Sequence, residues 1–197
     1  MIVSLAEMPP VEQFLTASEM RRYESFKIDK RRNDWALGRY ALKKLLKEQT
    51  GLDFKRWTVD TAESGAPFAL SDGKTTNLRV SISHSNGYGA ACFSLTNKVG
   101  IDIELIEERS KAWAEMCFTK TELARGADAE YLTELWAKKE AVSKILNIGL
   151  TAGLHQMEFD GNKINFYGRL AGTKDIKVDV NRDLKNFITA IAFGGIL

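Results

Sequence analysis

Cysteine is nearly missing from this chain: Cys92 and Cys117 are the two among 197 residues. Two thiols so far apart supply neither a disulfide framework nor a zinc site. Their apolar settings, AACFSL and the Cys117-Phe118 pair, suit buried free thiols of a reducing compartment. No apolar run approaches the roughly 20 residues of a membrane span. The opening MIVSLAEMPPVEQ lacks a basic lead-in and turns acidic at Glu7, so it does not read as a secretory signal, and the cytoplasm is the expected location. Proline is scarce, at Pro9, Pro10 and Pro67, and no low-complexity segment or linker-length charge run occurs. Charge of one sign is also lacking: 28 basic against 26 acidic residues leave a net +2, no field for nucleic acid. What remains is an ordinary globular chain, 44% apolar and long enough to bury a sizeable core.

The first half reads as helices followed by strands. Thr16 and Glu19 have capping-box spacing ahead of a helix with Met20, Tyr23 and Phe26. A longer helix is predicted from about Arg31 to Thr50, with Trp35, Leu42, Leu45 and Leu46 as its apolar stripe and Gly51 at its C-terminal cap. A loop, ESGAPF, follows. LRVSIS then alternates as a strand, Asn86-Gly87 signals a turn, GAACFSL reads as a second strand, and VGIDIEL is expected to complete a meander. Helical pieces run from about Lys111 to Leu146, and EF…KINFYG, DIKVDV and NFITAIAF read as closing strands. The order suggests an α+β fold of two similar halves, each an antiparallel meander with a long helix packed on it. The boundary is expected between residues 98 and 99.

Chemistry concentrates in two places. In GIDIE, Asp102 and Glu104 leave the same face of a strand, about 6.5 Å apart along the backbone. Two carboxylates side by side on a stiff element repel one another unless a cation lies between them, and magnesium characteristically takes one or two carboxylates. The plainer alternative is a half-exposed strand with its polar face in water. In LWAKKEAVSKILNIGL, Trp136, Glu140 and Lys144 line one helix face. There the alternatives are a further metal ligand or base at Glu140, with Lys139 and Lys144 neutralising phosphate, or an ordinary surface pair between Glu140 and Lys144. Asn147 has the character of a left-handed helix end.

Two further segments are candidates for binding. Ser83, His84, Ser85 and Asn86 end a strand at a tight turn, where hydroxyls and an imidazole can meet phosphate or ribose. Arg32 and Arg39 lie two helical turns apart on one face and carry the bidentate fork that suits phosphate. Each has a solvated-surface alternative.

Taken together and in order, GRYALKKLL (38–46), SGAPF (64–68), VSISHSNGYGAA (80–91), VGIDIE (99–104), FTKTEL (118–123) and LWAKKEAVSKILNIGL (135–150) resemble the 4′-phosphopantetheinyl transferase superfamily, in particular its two-halved, single-chain branch. The resemblance implies transfer of the 4′-phosphopantetheine arm of coenzyme A to a serine of an acyl or peptidyl carrier protein, an acidic helical domain, with release of 3′,5′-ADP. Asp102, Glu104 and Glu140 would hold Mg2+, with Asp102, Glu140 and Lys144 carrying the chemistry and Glu140 as base. Lys139 and Lys144 would touch coenzyme A phosphates or the carrier serine region. Ser83 and His84 would meet the nucleotide end, and Arg39 with one of Lys30, Arg31 or Arg32 its phosphates. The family's cleft lies between two similar halves, here residues 1–98 on the nucleotide side and 99–197 with the acids and catalytic helix.

Two positions depart from the family pattern. Ala66 stands where many members have the lysine of Gly-Lys-Pro, and Asn147 stands for the first glycine of a GxGL helix end whose second is Gly149. The expected state is a monomer. The rival readings are a relative that binds coenzyme A or a carrier without catalysis, and another magnesium-dependent nucleotide-diphosphate enzyme.

Overall fold

The computed structural model describes residues 1–148, 153–173 and 175–196, with the side chains of the last two set aside. The chain divides into two compact units, Met1–Thr96 and Asn97–Leu197.

In the first unit the chain enters on a short strand, β1 (Ile2–Ser4), and passes through α1 (Ala17–Glu24) and α2 (Asp29–Thr50). A small sheet follows, β2 (Trp57–Thr61), β3 (Pro67–Ser71) and β4 (Lys74–Thr75), and then the hairpin β5 (Arg79–Ser85) and β6 (Tyr88–Ser94). The main sheet runs β1-β6-β5, entirely antiparallel. The long helix packs on β5 and β6, burying Leu37, Ala41, Leu42 and Leu46 with Phe14, Leu15, Trp57 and Val59 in one core. Gly51 caps α2 in the left-handed conformation, and Asn86-Gly87 turns the hairpin with positive φ at both residues. ESGAPF is a loop only as far as Ala66, because Pro67 and Phe68 already belong to β3. Pro67 opens that strand, a position where its missing N–H is tolerated. Phe26 lies past the end of α1, which stops at Glu24.

The second unit begins with β7 (Asn97–Leu105). It continues through α3 (Lys111–Cys117), α4 (Lys120–Arg125) and α5 (Ala129–Leu146) to the hairpin β8 (Met157–Asp160) and β9 (Lys163–Phe166), and closes with β10 (Ile176–Asn181) and β11 (Phe187–Ile196). Its main sheet runs β10-β11-β7, again antiparallel. VGIDIEL therefore does not complete a meander with the two strands before it; it opens the second unit and pairs with β11. An alternating segment reads the same whichever neighbour accepts its hydrogen bonds, so the local pattern could not choose the partner. The helix α5 packs on β7, β11 and β10, with Ala137, Ala141, Val142 and Ile145 in a core shared with Phe118, Met157, Phe159, Ile188 and Ala190. Asn147 ends it in the left-handed conformation, φ 56° and ψ 36°. Gly149 and Leu150 lie outside the described residues.

Candidate active site

The face of β7 that carries the acids is covered by α5. Along the strand, Gly100, Asp102 and Glu104 share one side, and their partners on β11 are Ala192, Ala190 and Ile188. The helix runs antiparallel to the strand. Lys144 Nζ donates to Asp102 Oδ1 at 2.9 Å and to the Ile101 carbonyl at 2.6 Å, and one helical stretch earlier Trp136 Nε1 donates to Glu104 Oε1 at 3.1 Å. Asp102 is 2% exposed, so the expectation of a polar face in water fails. The surface pair between Glu140 and Lys144 also gives way, since the lysine is held by the strand.

Glu140 lies on this helix face between Trp136 and Lys144. Its carboxylate makes no direct hydrogen bond or ion pair among the described residues. Burial and the neighbouring charge of Asp102 push Glu140 up to about 7 from the ordinary 4.5, with Lys144 opposing and Glu104 adding to the rise. Glu104 is likewise pushed up to about 7, first by burial and then by Asp102, against the pull of Trp136, Arg109 and Lys144. Three carboxylates from a strand and a distant helix thus feel one another, with Lys144 beside Asp102 and Arg109 beside Glu104 as the near counter-charges. Among the described residues no three acidic, histidine or cysteine side chains already close on a common point. The donor chemistry nevertheless suits Mg2+. That ion keeps several waters and needs only one or two carboxylates, and a half-buried acid whose charge is disfavoured is what a divalent cation relieves.

Two residues at this site escaped the sequence reading. Trp136, taken as core or as one residue of a helix face, hydrogen-bonds an acid. Arg109 stacks on Trp113 with 4.8 Å to the ring centroid and sits 3.8 Å from Glu104 and 2.9 Å from Glu107. A signal existed for Trp136, its i, i+4, i+8 alignment with Glu140 and Lys144; none existed for Arg109.

Lys139 requires a correction. It was expected at coenzyme A, yet it is wholly buried. Its amine donates to Glu122 Oε2 at 2.8 Å, to the Leu154 carbonyl at 2.7 Å and to the Cys117 carbonyl at 3.3 Å. All three ammonium hydrogens have acceptors inside the protein, so none is left for a phosphate.

The remaining expected residues belong to the first unit. Arg39 is 5% exposed and stacks on Trp35 at 3.5 Å; burial lowers it to about 10. Arg32 pairs with Asp29 and lies over the Tyr23 ring at 5.4 Å, while exposed Arg31 approaches Phe26 at 5.6 Å. Ser83 is buried in β5, and beside it His84 is half-exposed with Nδ1 3.9 Å from Asp34.

The site thus lies in a mixed α+β fold of antiparallel sheets, its carboxylates placed between a strand and the helix across it. Residues 98–192 match the 4′-phosphopantetheinyl transferase superfamily. The chain is 33% identical over 82 residues to a holo-[acyl-carrier-protein] synthase of Lactococcus lactis, covering 39% of this chain and 69% of that protein. It is 27% identical over 156 residues to the 4′-phosphopantetheinyl transferase psf-1 of Bacillus pumilus, 76% of this chain and 64% of that protein. With a putative 4′-phosphopantetheinyl transferase of Synechocystis it shares 24% over 163 residues, 79% and 66% respectively. The chain thus spans about two thirds of the length of these relatives, and it belongs to the 4′-phosphopantetheinyl transferase superfamily. No helix among the described residues is long and apolar enough to cross a membrane.

Proposed function

We propose that this chain transfers the 4′-phosphopantetheine arm of coenzyme A to a serine hydroxyl of an acyl or peptidyl carrier protein, with Mg2+ held by Asp102 and Glu140. The observation that carries this reading is the gathering of Asp102, Glu104 and Glu140 from β7 and α5 around one lysine. Membership of the superfamily supports it.

In the reaction the serine oxygen bonds to the β-phosphorus of coenzyme A, the bond from that phosphorus to the bridging oxygen breaks, and 3′,5′-ADP leaves. A bound Mg2+ supplies charge withdrawal from the attacked phosphorus and stabilises the leaving group. Asp102, held by Lys144, would hold the ion together with Glu140, and Glu104, tied to Trp136, would stand beside them. Glu140 accepts the serine proton, directly or through a water, a role worth about 10²–10⁴-fold. Lys144 adds positive charge beside the acids. Arg32, Arg39, Ser83 and His84 are assigned to the nucleotide end, His84 to phosphate.

Both units carry the same strand order and the same buried lysine–glutamate arrangement, which supports the two-halved, single-chain branch; the state proposed with it is a monomer. The deciding experiment incubates purified protein with coenzyme A, Mg2+ and an apo-carrier, and follows the intact carrier mass. A gain of one phosphopantetheine supports the proposal. Phosphate products without a modified carrier would favour a hydrolase, and coenzyme A binding with neither would favour a non-catalytic relative.

A further inference from the structure

We propose that Gly100 is a positioning residue of the acid site: the absence of a side chain there lets α5 lie against β7 closely enough for Glu140 and Lys144 to reach Asp102. The proposal rests on the acid-site reading above.

A Cβ built on Gly100 would stand 2.0 Å from the Ala141 carbonyl oxygen, 3.0 Å from its carbon and 3.3 Å from Lys144 Cβ. Ordinary carbon–oxygen approach is about 3.3–3.6 Å, and the obstructing atom is helix backbone, which no rotamer change can move aside. A methyl group would therefore force α5 outward by about 1 Å or more. Space alone demands glycine here, since Gly100 is absent from the positive-φ positions. The residues that depend on this gap flank it. Ala141 follows Glu140, Lys144 bonds the Ile101 carbonyl and Asp102 Oδ1, and Asp102 shares Gly100's strand face. A retreat of about 1 Å breaks the hydrogen bond from Lys144 to Asp102, and misplacement on that scale costs a catalytic group about 10²-fold.

The test compares wild type with Gly100→Ala, and with Gly126→Ala as control. The atoms nearest a Cβ on Gly126 belong to the Tyr131 side chain, at 2.9 to 3.3 Å, and not to the backbone of α5. Mn2+ alone is the metal probe, read by electron paramagnetic resonance, beside carrier modification with Mg2+. Gly100→Ala is expected to weaken Mn2+ binding at least 10-fold and lower kcat about 10²-fold, whereas Gly126→Ala changes neither more than twofold. Asp102→Glu, whose longer arm spans a widened gap, should impair wild type yet improve Gly100→Ala. If Gly100→Ala does not fold, Ala192→Val takes its place. Ala192 is the cross-strand partner of Gly100 and fully buried, and its added methyls raise the same helix less abruptly, with the same direction of effect expected. Unchanged Mn2+ affinity and kcat in the variant that folds, or equal losses from Asp102→Glu in both backgrounds, overturns the proposal. Wild type that binds no Mn2+ overturns the acid-site reading instead, and faster hydrogen exchange of α5 amides in Gly100→Ala then still reports whether the gap is set by glycine.

Discussion

In the first unit Lys43, on α2, buries its amine against Glu19 at 2.5 Å and the Phe14 carbonyl at 2.8 Å; in the second, Lys139, on α5, does the same with Glu122 at 2.8 Å and the Cys117 carbonyl at 3.3 Å. Each glutamate sits three residues after a capping-box threonine and accepts its N–H, from Thr16 at 2.8 Å and from Thr119 at 2.9 Å. Each also accepts one strand amide at 2.9 Å, Val59 of β2 or Phe159 of β8. Gly51 and Asn147, each eight residues after its lysine, end the two helices left-handed. Both main sheets place the last strand of the unit between its first and its penultimate one. The units differ at the next residue along each helix, Lys44 in one and Glu140 in the other, and four further on, Glu48 against Lys144. Lys44 is only 3.9 Å from partly exposed Glu7, whereas Glu140 faces buried acids. The same lysine–glutamate arrangement recurs in both units, while the acids of the proposed metal site lie on the second.

The strongest test of that asymmetry is activity. Asp102→Ala should lower carrier modification by at least about 10³-fold and Glu140→Ala by about 10²–10⁴-fold, while Lys44→Ala, the corresponding position of the first unit, should stay within about twofold. Equal losses from Lys44→Ala and Glu140→Ala would erase the distinction between the units.

Next comes the shared scaffold. Lys43→Met and Lys139→Met each leave a buried carboxylate without its cation, so each should cost about 3–5 kcal/mol in urea unfolding. If only one is costly, the two arrangements are not equivalent.

A third prediction sharpens the difference through pH. Burial, and then the charge of Asp102, push Glu104 and Glu140 up to about 7 from the ordinary 4.5. In protein freed of divalent cation, the stability they contribute is therefore full below about pH 4.5, falls as pH rises to about 7, and is flat above that. One such acid is worth at most about 3 kcal/mol, at about 1.4 kcal/mol per pH unit. Glu140→Gln should raise the Tm of the metal-free protein at pH 8 and leave it unchanged near pH 4.5. Mg2+ should stabilise wild type at pH 8 more than the variant. A Tm gain of the same size at both pH values would show that the acid is not strained.

The smallest effect belongs to the caps. Thr16→Ala and Thr119→Ala should each cost about 1 kcal/mol, measurable by chemical denaturation, and a large difference between them would mean that one threonine does more than cap.

Much of this was legible locally. Thr16 and Glu19 announced a helix start, Gly51 and Asn147 the helix ends, and Asn86-Gly87 the hairpin, because caps and turns are decided within a few residues. β1 passed unnoticed since three residues show no period. Lys139 was misassigned because a helical lysine beside an acid looks the same whether it faces solvent or the core. Thr119 and Glu122 repeat the spacing of Thr16 and Glu19, a cue that could have matched the two buried lysines.

By itself the sequence determined the long helices, most of the strands, several caps and the residue types able to hold a cation, since these follow from spacing along one chain. Only the tertiary structure decided that β7 pairs with β11, that Lys139 lies inside, and that α5 lies over Gly100 with Lys144 bonded to Asp102. Strand pairing and helix packing join residues dozens of positions apart, and the energy that selects among such arrangements resides in contacts that no local pattern contains.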